Sequence, residues 1–364
     1  MNLDNVEFFN VGAQETIPGL GKHGLTRIPR NIREKLNARA RIMGQDAAGC
    51  EVRFVSDAPL VDLHLAGIRH DDGDETLQVR ILRGNHLMRT VQLQPGRQHV
   101  FRLAPPPVFQ NRTEMIRQAG GFAPTVWRVA MNSGSRICVN GIDPHGHAIR
   151  PPTPDETPAL KWLAYGSSIT HSSLDGYPHV AAGLLRAQVL NKGLSGSCQY
   201  EPELVDWLID DCDWELATLE MGVNMLGFFT PEQFEVRAAY AIKRFAGTGK
   251  PVLVTDIFPH RQTMDYNTRP DDITSQRDQA FRKIVRRLVD ECGAPYLRMV
   301  PGAVILDDFT GLSADLLHPS AFGHAIMGAN LAREIRKMPG IITTDNGAKA
   351  KRLEDTAPRV NIAD

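Results

Sequence analysis

The sequence lacks three features that would assign it to a membrane, a secretory route or a metal site. No apolar run approaches the roughly 18 residues of a membrane-spanning helix. The first residues have neither the basic start nor the apolar core of a secretory leader. The five cysteines are scattered, odd in number and without CxxC spacing, which disfavours a disulfide framework and a zinc site. We therefore expect a cytoplasmic protein with reduced thiols, no membrane contact and no metal or other cofactor.

An excess of charge of either sign is also missing. The formal net charge is −1 at pH 7, and a nucleic-acid or anionic-membrane surface would need a basic patch that this balance does not suggest. Hydrophobic residues make up 42% of the chain and charged residues 23%, as in ordinary soluble globular proteins. A small molecule is the partner that we expect, without nucleic acid.

The chain has room for two domains, because it has 364 residues and a domain usually has about 100 to 200. Residues 149–158 (IRPPTPDETP) contain four prolines, which disfavour a helix and fit an extended connection. We predict one domain at 1–150, a linker at 151–158, a second domain at 159–340 and a flexible tail at 341–364. Because the linker is short and stiff, we expect the first domain to form one wall of a pocket.

Before the linker, short segments alternate apolar and polar residues with the period of two typical of half-buried strands. Separated by turn-forming residues, they indicate an all-β sandwich or jelly roll. Alternation with Arg128 predicts that Trp127 lies in its core, although the rings of Trp127 and Phe122 also suit sugar binding. The predicted strands are 51–55, 61–65, 77–82, 99–103, 126–130 and 136–140.

After the linker, strands alternate with helices, a pattern typical of an α/β fold with a parallel sheet. In the segment 231–245, Phe234, Ala238, Ala241 and Phe245 recur at helical spacing and predict a core-facing stripe. The predicted strands are 160–165, 188–191, 216–221, 251–257 and 296–299, and the predicted helices are 177–186, 231–245, 277–289 and 322–338.

Four segments of this second half carry groups that acyl transfer requires. They are YGSSIT at 165–170, NKGLSG at 191–196, GVN at 222–224 and DLLHP at 315–319. Ester cleavage needs a nucleophile, a base that removes its proton, and donors that hold the oxyanion. Most of these groups follow predicted strands, and open α/β sheets carry their sites at the carboxyl ends of strands.

In these four segments the sequence resembles the SGNH (GDSL-type) hydrolases, over residues 159–338. The resemblance implies a flavodoxin-like parallel sheet flanked by helices, here in a two-domain form with a β-sandwich in front. It implies Ser168 as nucleophile, His318 as base and Asp315 as the group that orients His318. It also implies an oxyanion hole made by the Ser168 N–H, the Gly196 N–H and the Asn224 side chain. Two residues depart from the family pattern: Ser167 and Met225 stand where it often has Asp.

Alternatives exist for several of these residues. Ser167 is the rival nucleophile, and otherwise a polar turn residue. His171 is close enough in sequence to Ser168 to line the pocket, whereas His179, His260 and His324 are expected to pack or to face solvent. His145 and His147 suggest a metal, but two ligands without a third nearby indicate a loop.

Three functions follow. The first is a serine esterase acting on small acyl groups, such as an acetyl group on a carbohydrate or another hydroxylated small molecule. The second is an acyltransferase of the same fold that uses an alcohol in place of water. The third is a sugar-binding protein without activity, which the intact set of Ser168, Gly196, Asn224, Asp315 and His318 disfavours.

Overall fold

The structure is a computed structural model that describes residues 3–69, 77–118, 120–265, 268–269 and 271–341. Apart from Ile341, the predicted flexible tail lies outside the described residues. No helix in the described ranges is long and apolar enough to cross a membrane.

Two antiparallel sheets form the amino-terminal region and share one hydrophobic core. The first sheet has the order β1-β4-β9-β6-β7, with β11 on β4, and the second has the order β2-β3-β10-β5-β8. The strands are β1 (Glu7–Phe9), β2 (Ala13–Ile17), β3 (Gly21–Thr26), β4 (Glu51–Ser56), β5 (Val61–Arg69), β6 (Leu77–Arg83), β7 (His86–Leu93), β8 (Gln98–Leu103), β9 (Val126–Met131), β10 (Ser135–Asp143) and β11 (Ile149–Arg150).

The alternating pattern explains this core. Over the first five residues of β5 and of β6, every second residue is buried. All six predicted strands coincide with observed strands. Trp127 is 1% exposed and packs in the shared core, as its alternation with Arg128 predicted. Phe122 is also buried, but it lies against the guanidinium groups of Arg53 and Arg128. Four short helices join these strands: α1 (Arg30–Arg33), α2 (Ala38–Met43), α3 (Pro107–Gln110) and α4 (Thr113–Gln118).

The second region is a five-stranded parallel sheet with the order β13-β12-β14-β15-β16, which is the flavodoxin-like order 2-1-3-4-5. Hydrophobic clusters cover both of its faces, which explains why the middle strands read as nearly continuous apolar runs. The strands are β12 (Lys161–Tyr165), β13 (Gln188–Asn191), β14 (Leu216–Glu220), β15 (Val252–Thr255) and β16 (Leu297–Val300).

Helices lie on both sides of this sheet. The longer ones agree with the predicted segments, and the stripe from Phe234 to Phe245 on α8 is buried in the core as predicted. The helices are α5 (Ser168–His171), α6 (Tyr177–Leu185), α7 (Pro202–Asp210), α8 (Pro231–Ala246), α9 (Arg261–Asp265), α10 (Ile273–Cys292), α11 (Gly302–Ile305) and α12 (Ala321–Ile335).

The connection between the regions is fixed to the β-rich part. After β11, a single turn of 3-10 helix spans Pro154–Glu156, and Glu156 pairs with Arg150. The carbonyl of Glu156 also accepts from the backbone N–H of Ala123. These contacts fix the proline-containing segment to the β-rich region. The domain boundary between residues 150 and 151 stays a prediction.

Candidate active site

The turn after β12 presents Ser168 at the carboxyl edge of the parallel sheet. β12 ends at Tyr165, and α5 begins at Ser168. Ser167 is the N-cap of α5, because its hydroxyl accepts from the backbone N–H of Ile169 at 3.1 Å. Ser168 is therefore the first helical residue, and its backbone N–H belongs to the group of donors that has no partner inside a helix.

Ser168, His318 and Asp315 form one chain of hydrogen bonds. The Ser168 Oγ lies 2.8 Å from the His318 Nε2, and the His318 Nδ1 lies 2.6 Å from the Asp315 Oδ2. His318 and Asp315 come from the loop before α12, and the contact with Ser168 places His318 at the carboxyl edge of the sheet. Their side chains are 43% and 46% exposed, so solvent reaches the base.

The Asp315 carboxylate is held by its own loop. Its Oδ1 accepts from the backbone N–H groups of Leu317 and His318, each at 3.0 Å. Burial acts to raise the pKa of Asp315, but the hydrogen bonds from the side chain and backbone of His318 outweigh it and lower the pKa. An ionised Asp315 accepts from the Nδ1–H of His318, which leaves Nε2 free to accept from the Ser168 hydroxyl.

Ser167 is turned away from His318 and bonded to a buried carboxylate. It is 1% exposed, its hydroxyl donates to Glu220 Oε1 at 2.6 Å, and its backbone N–H donates to Glu220 Oε2 at 2.8 Å. Thr170 donates to the same Oε2 at 2.7 Å. A Cβ on Gly166 would lie 2.4 Å from that oxygen, so a glycine is needed there. The turn that carries Ser168 therefore contacts a carboxylate, which is supplied by β14.

Glu220, the last residue of β14, is unusual because its carboxyl group is buried. Its side chain is almost completely enclosed, and burial raises its pKa although the hydrogen bonds from Ser167 and Thr170 act in the opposite direction. The sequence analysis did not identify this residue. An acidic residue closing the apolar strand Leu216–Glu220 was the available signal, because Glu is seldom buried without partners.

The three predicted oxyanion residues follow three adjacent strands of the sheet. Ser168 follows β12, Gly196 follows β13, and Asn224 follows β14 in a 3-10 turn at Val223–Met225. The backbone N–H of Leu194 donates to the carbonyl of Gly166 at 2.8 Å, which ties the first two loops together. Met225, where the family often has Asp, is fully buried in the core.

Asn224 is oriented by the loop that carries Gly196. Its Oδ1 accepts from the backbone N–H of Cys198 at 3.1 Å, so the NH₂ group is the part of the amide left for another partner. Gly196 has φ +67, in the left-handed region that favours glycine. Among the described residues, no group accepts from the Gly196 N–H. Both groups are thus available as donors to a ligand.

His171 lies beneath this loop, which corrects the alternative that it lines an open pocket. It is 5% exposed; its Nε2 lies 3.1 Å from Arg27 Nη2, and its Nδ1 lies 3.3 Å from the backbone nitrogen of Ser195. Arg27, the residue after β3, also donates to the carbonyls of Asn191 and Gly193, at 3.2 and 2.7 Å. A residue of the amino-terminal region therefore supports the loop of Gly196.

The remaining histidines lie in other settings. His145 and His147 are partly exposed in a turn of the β-rich region, each beside one Asp. His260 and Asp278 form a second His–Asp pair, at 3.0 Å, but both are buried and Asp278 also binds Arg282. Over the described ranges, no three His, Cys, Asp or Glu side chains are grouped so as to hold a metal ion.

The parallel sheet of order 2-1-3-4-5, with these loops at its carboxyl edge and an antiparallel β-rich region in front, defines an α/β protein of SGNH type. Residues 164–326 match the model of the GDSL-like lipase/acylhydrolase family. A search of curated proteins gave no match.

Solved structures share the whole two-region fold. The salicylyl-acyltransferase SsfX3 from a tetracycline biosynthetic pathway superposes with a TM-score of 0.72 at 14% identity, over 92% of this chain and 94% of that one. A protein described as a GDSL-like lipase from Bacteroides ovatus gives 0.63 at 15%, over 94% and 100%. A carbohydrate esterase family 2 enzyme with a carbohydrate-binding domain, from Corynascus thermopiles (Myceliophthora fergusii), gives 0.54 at 14%, over 91% and 98%. Identities this low show a common fold.

Proposed function

We propose that this chain is a serine esterase that hydrolyses small acyl esters, such as O-acetyl groups on a carbohydrate or another hydroxylated small molecule. The observation that carries the proposal is the unbroken chain of hydrogen bonds from Ser168 Oγ through His318 to Asp315, at 2.8 and 2.6 Å. A serine hydroxyl becomes a useful nucleophile only when a base accepts its proton, and this geometry supplies one.

In the acylation step, Ser168 Oγ attacks the ester carbonyl carbon while His318 Nε2 takes the hydroxyl proton. Asp315 stabilises the imidazolium that forms, without accepting the proton itself. The carbonyl oxygen becomes an oxyanion that accepts from the N–H groups of Ser168 and Gly196 and from the Asn224 amide. His318 then returns its proton to the leaving alcohol, and an ester of Ser168 remains.

In the deacylation step, water replaces the alcohol. His318 takes a proton from the water as it attacks the acyl-enzyme, and the same donors hold the second oxyanion. The acid leaves, and Ser168 recovers its proton from His318. The partial exposure of His318 and Asp315 favours this step, because water reaches the base from solvent.

The second candidate is acyl transfer to an alcohol. One structure that shares both regions of this fold is an acyltransferase, and the same residues serve both reactions. The two differ in whether an acceptor alcohol outcompetes water at the acyl-enzyme. A third candidate, sugar binding without catalysis, predicts that Ser168 is never acylated.

One assay separates these functions. We expect the protein to hydrolyse p-nitrophenyl acetate. When an alcohol is added, we expect free acetate to remain the main product, with little acetyl ester of the alcohol. A dominant acetyl ester of the alcohol would indicate the transferase. No turnover together with no labelling of Ser168 by a fluorophosphonate would indicate the binding protein.

Ser168→Ala is expected to abolish turnover and labelling, with a loss in kcat on the order of 10⁴ or more. Ser167→Ala is the matched control, because Ser167 is the neighbouring serine and its hydroxyl is bonded to Glu220. It should retain turnover and keep the label on Ser168. A peptide labelled at Ser167 in the wild-type protein would contradict the proposal.

Two further expectations are kept as proposals. The division into domains at 1–150 and 159–340 requires expression of the separate parts. The cytoplasmic location requires fractionation of cells that make the protein.

A further inference from the structure

We propose that Arg39, from the amino-terminal region, is a positioning residue that aims the Gly196 N–H at the oxyanion. The inference rests on the proposed function and adds to it a residue that lies outside the parallel-sheet region. Arg39 lies on α2, and its Nε donates to the carbonyl of Ser195 at 3.0 Å.

The bond acts on the peptide group that holds the candidate donor. The carbonyl of Ser195 and the N–H of Gly196 belong to the same planar trans peptide, in which the two groups point in opposite directions. Fixing the carbonyl on Arg39 therefore fixes the direction of the N–H. A cationic donor on the carbonyl also polarises the peptide and strengthens its N–H as a donor.

Gly196 makes room for this contact. A Cβ at position 196 would lie 2.8 Å from the Nε and 3.2 Å from the Cδ of Arg39, and φ is +67. The absence of a side chain at Gly196 therefore leaves space for Arg39 to reach the Ser195 carbonyl, in addition to any close approach of substrate.

Helix α2 is itself fastened to the same loop. Asn37 caps α2 by accepting from the Ala40 N–H at 2.9 Å. Its amide donates to the carbonyl of Ser197 at 3.0 Å and to Glu201 Oε1 at 2.6 Å. The base of Arg39 is thus held against the segment that follows Gly196, which limits how far the guanidinium moves relative to that peptide.

The other side of the loop is held separately. The Ser195 backbone nitrogen lies 3.3 Å from His171 Nδ1, and Arg27 binds the Gly193 carbonyl at 2.7 Å. The Ser197 hydroxyl makes a longer bond, 3.3 Å, to the same Ser195 carbonyl that Arg39 binds. Removal of Arg39 should therefore loosen the Ser195–Gly196 peptide without releasing the whole loop.

The test is Arg39→Ala, assayed with p-nitrophenyl acetate. We expect kcat to fall about tenfold, which is less than the 10² to 10³ lost with an oxyanion donor itself, and KM to change less than twofold. The affinity for a boronic acid that forms a tetrahedral adduct on Ser168 should fall by the same factor as kcat. A loss of fold stability alone would not weaken the adduct in step with kcat.

Arg41→Ala is the control, since Arg41 is an exposed arginine on the same helix and its Nε binds the Leu36 carbonyl. It should keep the wild-type kcat. Should Arg39→Ala fail to fold, Arg39→Gln, which keeps a polar side chain and loses the charge, is expected to show the same kcat loss.

Three results would overturn the inference: a wild-type kcat in the folded Arg39 variant, a rise in KM at constant kcat, or an equal loss in the Arg41 variant. The second would make Arg39 a ground-state contact with substrate. Failure of the proposed function is distinct, because the wild-type protein itself would then show neither turnover nor labelling of Ser168.

Discussion

Asn224→Ala removes a side-chain amide from the loop after β14 and leaves the chain from Ser168 to Asp315 in place. The amide is oriented by one bond, from the Cys198 N–H to Oδ1 at 3.1 Å. Its NH₂ group is the donor that we propose for the oxyanion. Loss of one such donor costs about 10² to 10³ in kcat, or about 2.7–4 kcal/mol. Because the donor acts mainly in the transition state, we expect little change in KM.

The effect on stability should be smaller. The variant leaves the partly buried N–H of Cys198 without its acceptor, which costs about 1–3 kcal/mol in the free energy of unfolding. Thermal unfolding of the variant therefore measures the structural part, and kcat measures the catalytic part. Asn31→Ala, an exposed asparagine on α1, is the control for both measurements.

Asn224→Asp separates the two parts further. A carboxylate retains an oxygen acceptor for Cys198 but replaces the NH₂ donor with a negative oxygen beside the developing oxyanion. We expect a kcat loss at least as large as that of Asn224→Ala with a smaller loss of stability. If KM rises while kcat holds in Asn224→Ala, or if Asn224→Asp keeps full activity, then Asn224 is a ground-state or structural residue and its assigned role is wrong.

Two further predictions concern titratable groups. Asp315→Asn should lower kcat by about 10⁴, because the wrong tautomer of His318 then faces Ser168, and a loss below tenfold in a folded variant would exclude Asp315 as the orienting group. His179 has a buried Nε2 without a partner among the described residues, and burial lowers its pKa to about 4. Between pH 6.5 and 4 the unfolded chain therefore binds a proton at this histidine and the folded protein does not. As the pH is lowered through this range, the free energy of unfolding should fall by up to about 1.4 kcal/mol per pH unit. Melting temperatures across this range should show a shallower decline for His179→Phe, and an unchanged decline would rule out His179 as its source.

Much of the fold could be predicted because its patterns are local. In β5 and β6 the alternation of apolar and polar residues reflects alternating burial, and such a pattern is visible in a short window of sequence. β4 and β9 are buried on both faces, and there the apolar and β-branched residues carried the prediction. The predicted ends differ from the observed ones by up to a few residues, as at 277–289 within α10, since capping by Asp272 sets the real start. α7 lies outside the predicted elements, although Pro202 at its start and the spacing of Leu204, Val205 and Leu208 are helical signals.

The clustering of the candidate catalytic residues could be predicted for a different reason. Ser168, Asp315 and His318 stand in motifs whose residue types and order were informative without coordinates, and the structure brings these three side chains together. The choice of Ser168 over Ser167 rested on position in the motif. The structure supplies the physical basis, because the Ser167 hydroxyl is occupied by Glu220.

The supporting residues could not be predicted, because their partners are distant in sequence. Glu220 binds a turn 53 positions earlier, and Arg39 binds a carbonyl 156 positions later. Neither contact leaves a spacing that can be recognised in one sequence. In the sequence Arg39 resembles any exposed arginine on a short helix, and only the approach of α2 to the loop of Gly196 gives it the role proposed above.

Arg27 shows why the amino-terminal region belongs to the site. Its guanidinium is completely buried, and burial lowers its pKa, so the charge is tolerated only if its donors find partners. Four of the five N–H groups donate to carbonyl oxygens drawn from both regions of the chain, and Nη2 also lies 3.1 Å from His171 Nε2. Asn191 is the last residue of β13, and Gly193 lies two residues beyond it, at the start of the loop. The guanidinium of Arg27 and the carbonyls of the loop therefore satisfy each other's hydrogen bonds. The conformation of the loop that carries Gly196 depends on the amino-terminal region as well as on the parallel sheet.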